Sequence, residues 1–140
     1  MARPTSFRLP EELLERLEHE ATSTGTSTTS LVATLLDEGI TTRRFPGIVY
    51  RDGPTGRRAG LVNGPDVWEV VRAVKEAGGQ GEKRLEAVAE TADLSLSHIR
   101  LAVDFYTAHP TDVDQRIEAD RRESERVRAL IERREQLLSS

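Results

Sequence analysis

Histidine is the side chain best suited to proton transfer near neutral pH, and the sequence holds three, His19, His98 and His109. They are scattered. None has a second imidazole or a carboxylate at the spacing of a metal site, and no metal or cofactor is expected. Ser97, His98 and Asp104 are the residue types of a nucleophilic triad, but Ser97 and His98 are adjacent on an expected helix and point in different directions. Gly53 and Gly56 lie in DGPTG without the GxxxxGK[ST] pattern of a phosphate cradle, and a turn explains them better. The expectation is therefore a binding protein and not an enzyme.

The groups suited to binding a polyanion are better organised. Thr5, Phe7 and Leu9 alternate with Ser6 and Arg8, which is the period of a strand, and the pattern changes at Pro10 to that of a helix. If Phe7 and Leu9 face a core, Ser6 and Arg8 face outward, with Arg3 just before them. A two-stranded ribbon carrying such side chains fits the DNA major groove. Ser27, Thr28 and Thr29 open the second expected helix, whose hydroxyls and unpaired N–H groups suit a phosphate. Arg57 and Arg58 follow the DGPTG turn. They read either as phosphate contacts or as a solvated hairpin edge, where arginine also discourages strand aggregation.

The elements that must position these groups are legible in outline. Pro10 starts a helix with Glu11 and Glu12 at the positive end of its dipole, and Leu13, Leu14, Leu17 and Ala21 form one stripe. Gly25 stops it and Ser27 caps a second helix bearing Leu31, Val32, Leu35, Leu36 and Ile40. A unit of roughly forty residues rarely stabilises itself without a disulfide or a metal, and the chain has no cysteine. Pairing of residues 5–9 with the same strand of a second copy solves the problem, with Phe7, Leu9, Leu13, Leu17, Leu31 and Leu35 as the shared core. The alternative is that the strand pairs with the hairpin expected at 48–62, leaving Arg8 as an edge charge.

Here the sequence resembles the ribbon-helix-helix family of Arc, MetJ and CopG, over residues 4–40: SFRLP, EELLERLEHEA and the turn GTSTTSLV. The resemblance implies an intertwined homodimer that inserts its ribbon into operator DNA. The family's outward ribbon positions fall on Pro4, Ser6 and Arg8, and Pro4 departs from the usual polar residue.

Composition fits this reading in part. Net charge is -4 with 36% hydrophobic and 31% charged residues, so contact with DNA must be local. Residues 1–40 carry Arg3, Arg8 and Arg16 against Glu11, Glu12, Glu15, Glu18, Glu20, Asp37 and Glu38. Residues 41–60 reverse the sign, with Arg43, Arg44, Arg51, Arg57 and Arg58 against Asp52. The absence of cysteine, of a membrane-length apolar run and of a signal-peptide pattern fits a cytoplasmic location.

Residues 42–110 read as a second module. IVYR and RRAGLV flank a turn, Asp66 caps a helix bearing Val67, Trp68, Val70, Val71 and Val74, and two further helices cover 82–91 and 96–108. The last pair has Ala89, Leu94 and Ile99 at packing positions of a helix-turn-helix, leaving Ser97, His98 and Arg100 outside. Asp93 and Asp104 beside them favour a protein-facing or structural helix over a groove reader. The module resembles the winged-helix-like domain of VapB-like antitoxins, which implies an autorepressor that also masks a PIN-like toxin.

Residues 111–140 read as a terminal helix in which EADRRESER buries nothing and Val127, Leu130, Ile131, Leu137 and Leu138 form an amphipathic end. Those five side chains are the expected toxin anchors; the alternative is a charged helix packed on its own dimer. The whole is expected to be mainly α with short β elements, in segments 1–41, 42–110 and 111–140. The leading expectation is a type II antitoxin bound to double-stranded operator DNA and to its toxin. A stand-alone ribbon-helix-helix regulator and a non-DNA-binding interaction module are the alternatives.

Overall fold

Two apolar patterns sort the chain into separate bodies, and the computed structural model, which describes residues 2–140, divides into Met1–Arg44 and Phe45–Ser140. The division falls just after the expected boundary at 41, because the second helix continues for a further turn past Ile40.

In the first unit, α1 spans Glu11–Thr24 and ends on Gly25, whose φ of 70° is the left-handed cap that glycine adopts without cost. Helix α2 spans Thr28–Arg44. Ser27 caps it, its Oγ accepting from the Ser30 N–H at 3.1 Å. Residues 2–10 form no ladder within the chain, so the strand expected at 5–9 has no pairing here, neither with itself nor with the hairpin. Among the described residues of this unit only Ala21 and Thr41 are buried. Phe7 is 78% exposed and Leu35 48%.

The second unit has a core of its own. Strands β1 (Ile48–Arg51) and β2 (Arg58–Leu61) form an antiparallel hairpin in which Ile48 faces Leu61 and Arg51 faces Arg58. Helices α3 (Val67–Glu76), α4 (Gly81–Ala92) and α5 (Leu96–Ala108) follow. The turn between α4 and α5 passes through Asp93 at φ 54°, and Ser95 caps α5 by accepting from the His98 N–H. Ile48, Leu61, Val67, Val70, Val71, Val88, Ile99, Ala102, Phe105 and Val113 pack into one cluster. The hairpin thus precedes the helix pair in the chain.

Helix α6, Pro110–Ser139, starts with proline in its first turn, where the missing N–H costs nothing. The expected break at 110 is therefore a junction, and the terminal helix is not a free segment throughout. Val113 is buried in the core and Ile117 packs against it. Lys75 Nζ donates to Asp114 Oδ1 at 2.7 Å and the Tyr106 hydroxyl donates to the same oxygen at 3.0 Å. These hydrogen bonds, Lys75 first, hold the Asp114 carboxyl below the ordinary carboxylate range. Beyond Arg121 every residue except Ala129 is exposed. That half is laced by ion pairs on its own surface, and the Arg121 hydrogen bond brings Glu118 down to about 2.

Candidate nucleic-acid interface

The residues expected to form the ribbon and its flanking phosphate contacts, Arg3 to Thr29, belong to Met1–Arg44, and the possible phosphate contacts Arg57 and Arg58 to the second unit. Arg3, Pro4, Ser6 and Arg8 are exposed in a segment without regular secondary structure that ends at Pro10, with φ -53° and ψ 142°. Phe7 and Leu9 alternate with them and are exposed as well. A single chain therefore presents both the polar and the apolar face of the segment to solvent. Among the described residues no carboxylate lies within ion-pair distance of Arg3 or Arg8.

At the start of α2 the first N–H groups have no intrahelical partner. The Ser27 hydroxyl takes that of Ser30 and also donates to Ser30 Oγ at 2.9 Å, which leaves the N–H groups of Thr28 and Thr29 outside the ladder. Ser27 is thus a cap first, and its capping role sets the two N–H groups that a phosphate oxygen would use.

The leucines behind this surface are also brought together. Leu13, Leu17 and Leu35 line one depression of about 720 Å3 between α1 and α2. Glu12, Glu15, Arg16, His19 and Glu20 rim it, so His19 belongs to a polar edge. Leu17 and Leu31 are half-buried, whereas Leu13, Leu36 and Ile40 are exposed. Large apolar groups converging on an open face mark an interaction surface.

The second unit carries its arginines differently. Arg58 is directed by its Nε to Asp66, which also accepts from Arg51 Nη1 at 3.0 Å and from Trp68 Nε1 at 3.3 Å. Arg58 thus clamps the hairpin to Asp66, a carboxylate that it shares with Arg51. Arg57 pairs with exposed Asp52 at 3.1 Å and keeps an outward position. In the sequence Asp66 reads as a helix cap alone, since its arginine partners lie 8 and 15 residues away and meet it only through the hairpin register.

On α5, Ile99 is fully buried while Ser97 and Arg100 are exposed. Arg100 pairs with Glu82 at 2.8 Å, and exposed Asp93 and Asp104 share the surface. This outer face is not cationic. His98 Nδ1 lies 2.9 Å from the Ser95 hydroxyl, the α5 cap, and His109 stacks on Phe105. The five apolar side chains of the α6 end, Val127, Leu130, Ile131, Leu137 and Leu138, are 41–75% exposed. Among the described residues no helix is long and apolar enough to cross a membrane.

No curated protein and no solved structure matches the chain. What it is similar to is confined to the first unit, where residues 8–44, the last ribbon position and both helices, match the family model described as CopG-like RHH_1 or ribbon-helix-helix domain, RHH_5.

Proposed function

We propose that the protein is a homodimeric DNA-binding transcriptional regulator that reads its operator through a ribbon made of residues 5–9 from two copies. Proteins with a ribbon-helix-helix domain bind DNA in this way. The observation that carries the reading is the pairing of an unpartnered segment, in which exposed Phe7 and Leu9 alternate with exposed Ser6 and Arg8, with a leucine face left open in the same unit. A second copy supplies both a strand for the segment and a cover for the leucines. The Thr28 and Thr29 N–H groups then flank the ribbon as phosphate contacts. Nothing in the reading calls for catalysis.

Arg8→Ala tests it. Loss of a base contact costs roughly 1–3 kcal/mol, and a symmetric dimer loses two. Operator affinity in a fluorescence-anisotropy titration is expected to fall at least tenfold while the dimer stays intact. Unchanged affinity would remove the ribbon from the interface.

The finer reading is a type II antitoxin that represses its own operon and masks a PIN-like toxin, the second unit being a winged-helix-like module. The exposed stripe at the end of α6 supports it, because a helix half with no core contact and five apolar side chains is suited to a partner groove. Truncation must spare Val113 and Ile117, so the informative variant ends at Ser124. Co-expressed with a PIN-like protein encoded beside it, the full chain is expected to co-purify with that protein and the truncated chain to lose it. If the truncated chain still holds the toxin, the stripe is not the anchor.

A further inference from the structure

The hairpin, α3, α5 and α6 enclose a cavity of about 600 Å3 within Phe45–Ser140 that the functional reading does not use. This volume is typical of small-molecule sites. Val67, Phe105 and Val113 contribute apolar lining, and Tyr50 and Trp68 contribute rings.

The charges on its lining are unequally neutralised. Arg116, on α6, donates through Nη1 to the Thr55 carbonyl at 3.0 Å and hydroxyl at 2.8 Å, and through Nη2 to the Arg57 carbonyl at 2.7 Å. All three acceptors are neutral. Arg58 shares the single carboxylate of Asp66 with Arg51, and its Nη1 is buried without an acceptor among the described residues. The acids on the lining are mostly taken: Asp120 by Arg72, and Glu123 by Arg126 at 2.6 Å. Asp112 stands in the first turn of α6, where the helix dipole favours it.

We propose that this cavity binds a small organic anion with an apolar body, of the class of aryl or branched aliphatic carboxylates. The apolar body lies against Trp68, Tyr50 and Phe105. The anionic group faces Arg58 and Arg116, and Asp112 accepts an N–H or O–H of the ligand. Because α6 forms one wall and the hairpin another, the occupant ties the two together, as an effector of the regulator would.

The probe is 8-anilino-1-naphthalenesulfonate, an aryl anion with one N–H, and the control is N-phenyl-1-naphthylamine, the same body without the charge. Trp68, the sole tryptophan, reports occupancy by energy transfer to either. The full chain is expected to take up one anion per chain saturably, at least tenfold more tightly than the neutral control, with 1-naphthoate competing. Ala119→Phe fills the cavity from exposed Ala119 on α6 and is expected to lose binding at unchanged helical content. Arg116→Gln is expected to weaken the anion tenfold and spare the neutral probe. Equal affinity for both probes, or full binding by Ala119→Phe, overturns the proposal, and the second holds even if Arg116→Gln fails to fold.

Discussion

Leu35→Glu is expected to dissociate the dimer and unfold Met1–Arg44 while Phe45–Ser140 stays folded. Leu35 lies in the depression with Leu13 and Leu17 and is 48% exposed in one chain. In the proposed dimer it is covered. Burying a leucine side chain is worth about 1.5–3 kcal/mol, so two copies forfeit about 3–6 kcal/mol before any cost of the introduced carboxylates. Arg16 is the arginine on the rim, where Glu12, Glu15 and Glu20 already surround it, and a buried charge left without a partner of its own is far more costly than a lost methylene. A unit in which, among the described residues, Ala21 and Thr41 alone are buried has no reserve to absorb the loss. Sedimentation equilibrium is expected to show monomer at micromolar concentration, with reduced helical content and unchanged Trp68 fluorescence. A stable Leu35→Glu dimer would place the dimer core elsewhere and end the ribbon reading with it.

This variant also marks where sequence reading succeeds. Helix periods, Gly25, Ser27 and the Asp66 cap are local signals, each set within a few residues, and α1 to α5 all form close to their expected limits. The ribbon is legible as a pattern in Phe7, Leu9, Ser6 and Arg8, yet residues 2–10 form no ladder in one chain; in the proposed dimer those hydrogen bonds are made with a second copy. Helix α6 is legible as a helix, though not as one rooted in the core. Its composition changes after Ile117, whereas its start is fixed by Val113 and Asp114 meeting α3 and α5, contacts that no short window contains. The cavity was likewise invisible, since Tyr50, Trp68 and Arg116 are distant in sequence. The excess of arginines at 51, 57 and 58 is legible in the sequence, but not the facing of Arg51 and Arg58 or the Asp66 carboxylate that reconciles them.

That reconciliation makes Asp66→Ala the most damaging substitution expected in the second unit. Arg51 and Arg58 face each other across the strands, and like charges directly opposite destabilise a sheet. Asp66 lies between them with its side chain 10% exposed, bonded to both, while the side chains of Arg51 and Arg58 remain 31% and 22% exposed. The arginines fold back over Gly60 and Gly53, where any Cβ would strike a guanidinium nitrogen. Asp66 also opens α3 in a capping box, its N–H donating to Glu69 Oε2 at 2.9 Å. Alanine removes the cap, worth about 1 kcal/mol, and leaves two half-buried cations facing each other. Breaking a fully buried pair costs about 3–5 kcal/mol, and partial exposure reduces that figure. A total of about 3 kcal/mol corresponds to a fall in Tm of roughly 10–20 °C for a unit of this size. Asp66→Asn keeps an acceptor for the cap and for one arginine, so it is expected to fall between the two. Thermal melts followed by Trp68 fluorescence order the three proteins. If Asp66→Asn melts with Asp66→Ala, charge alone holds the hairpin to α3, and if it melts with the parent, the cap does.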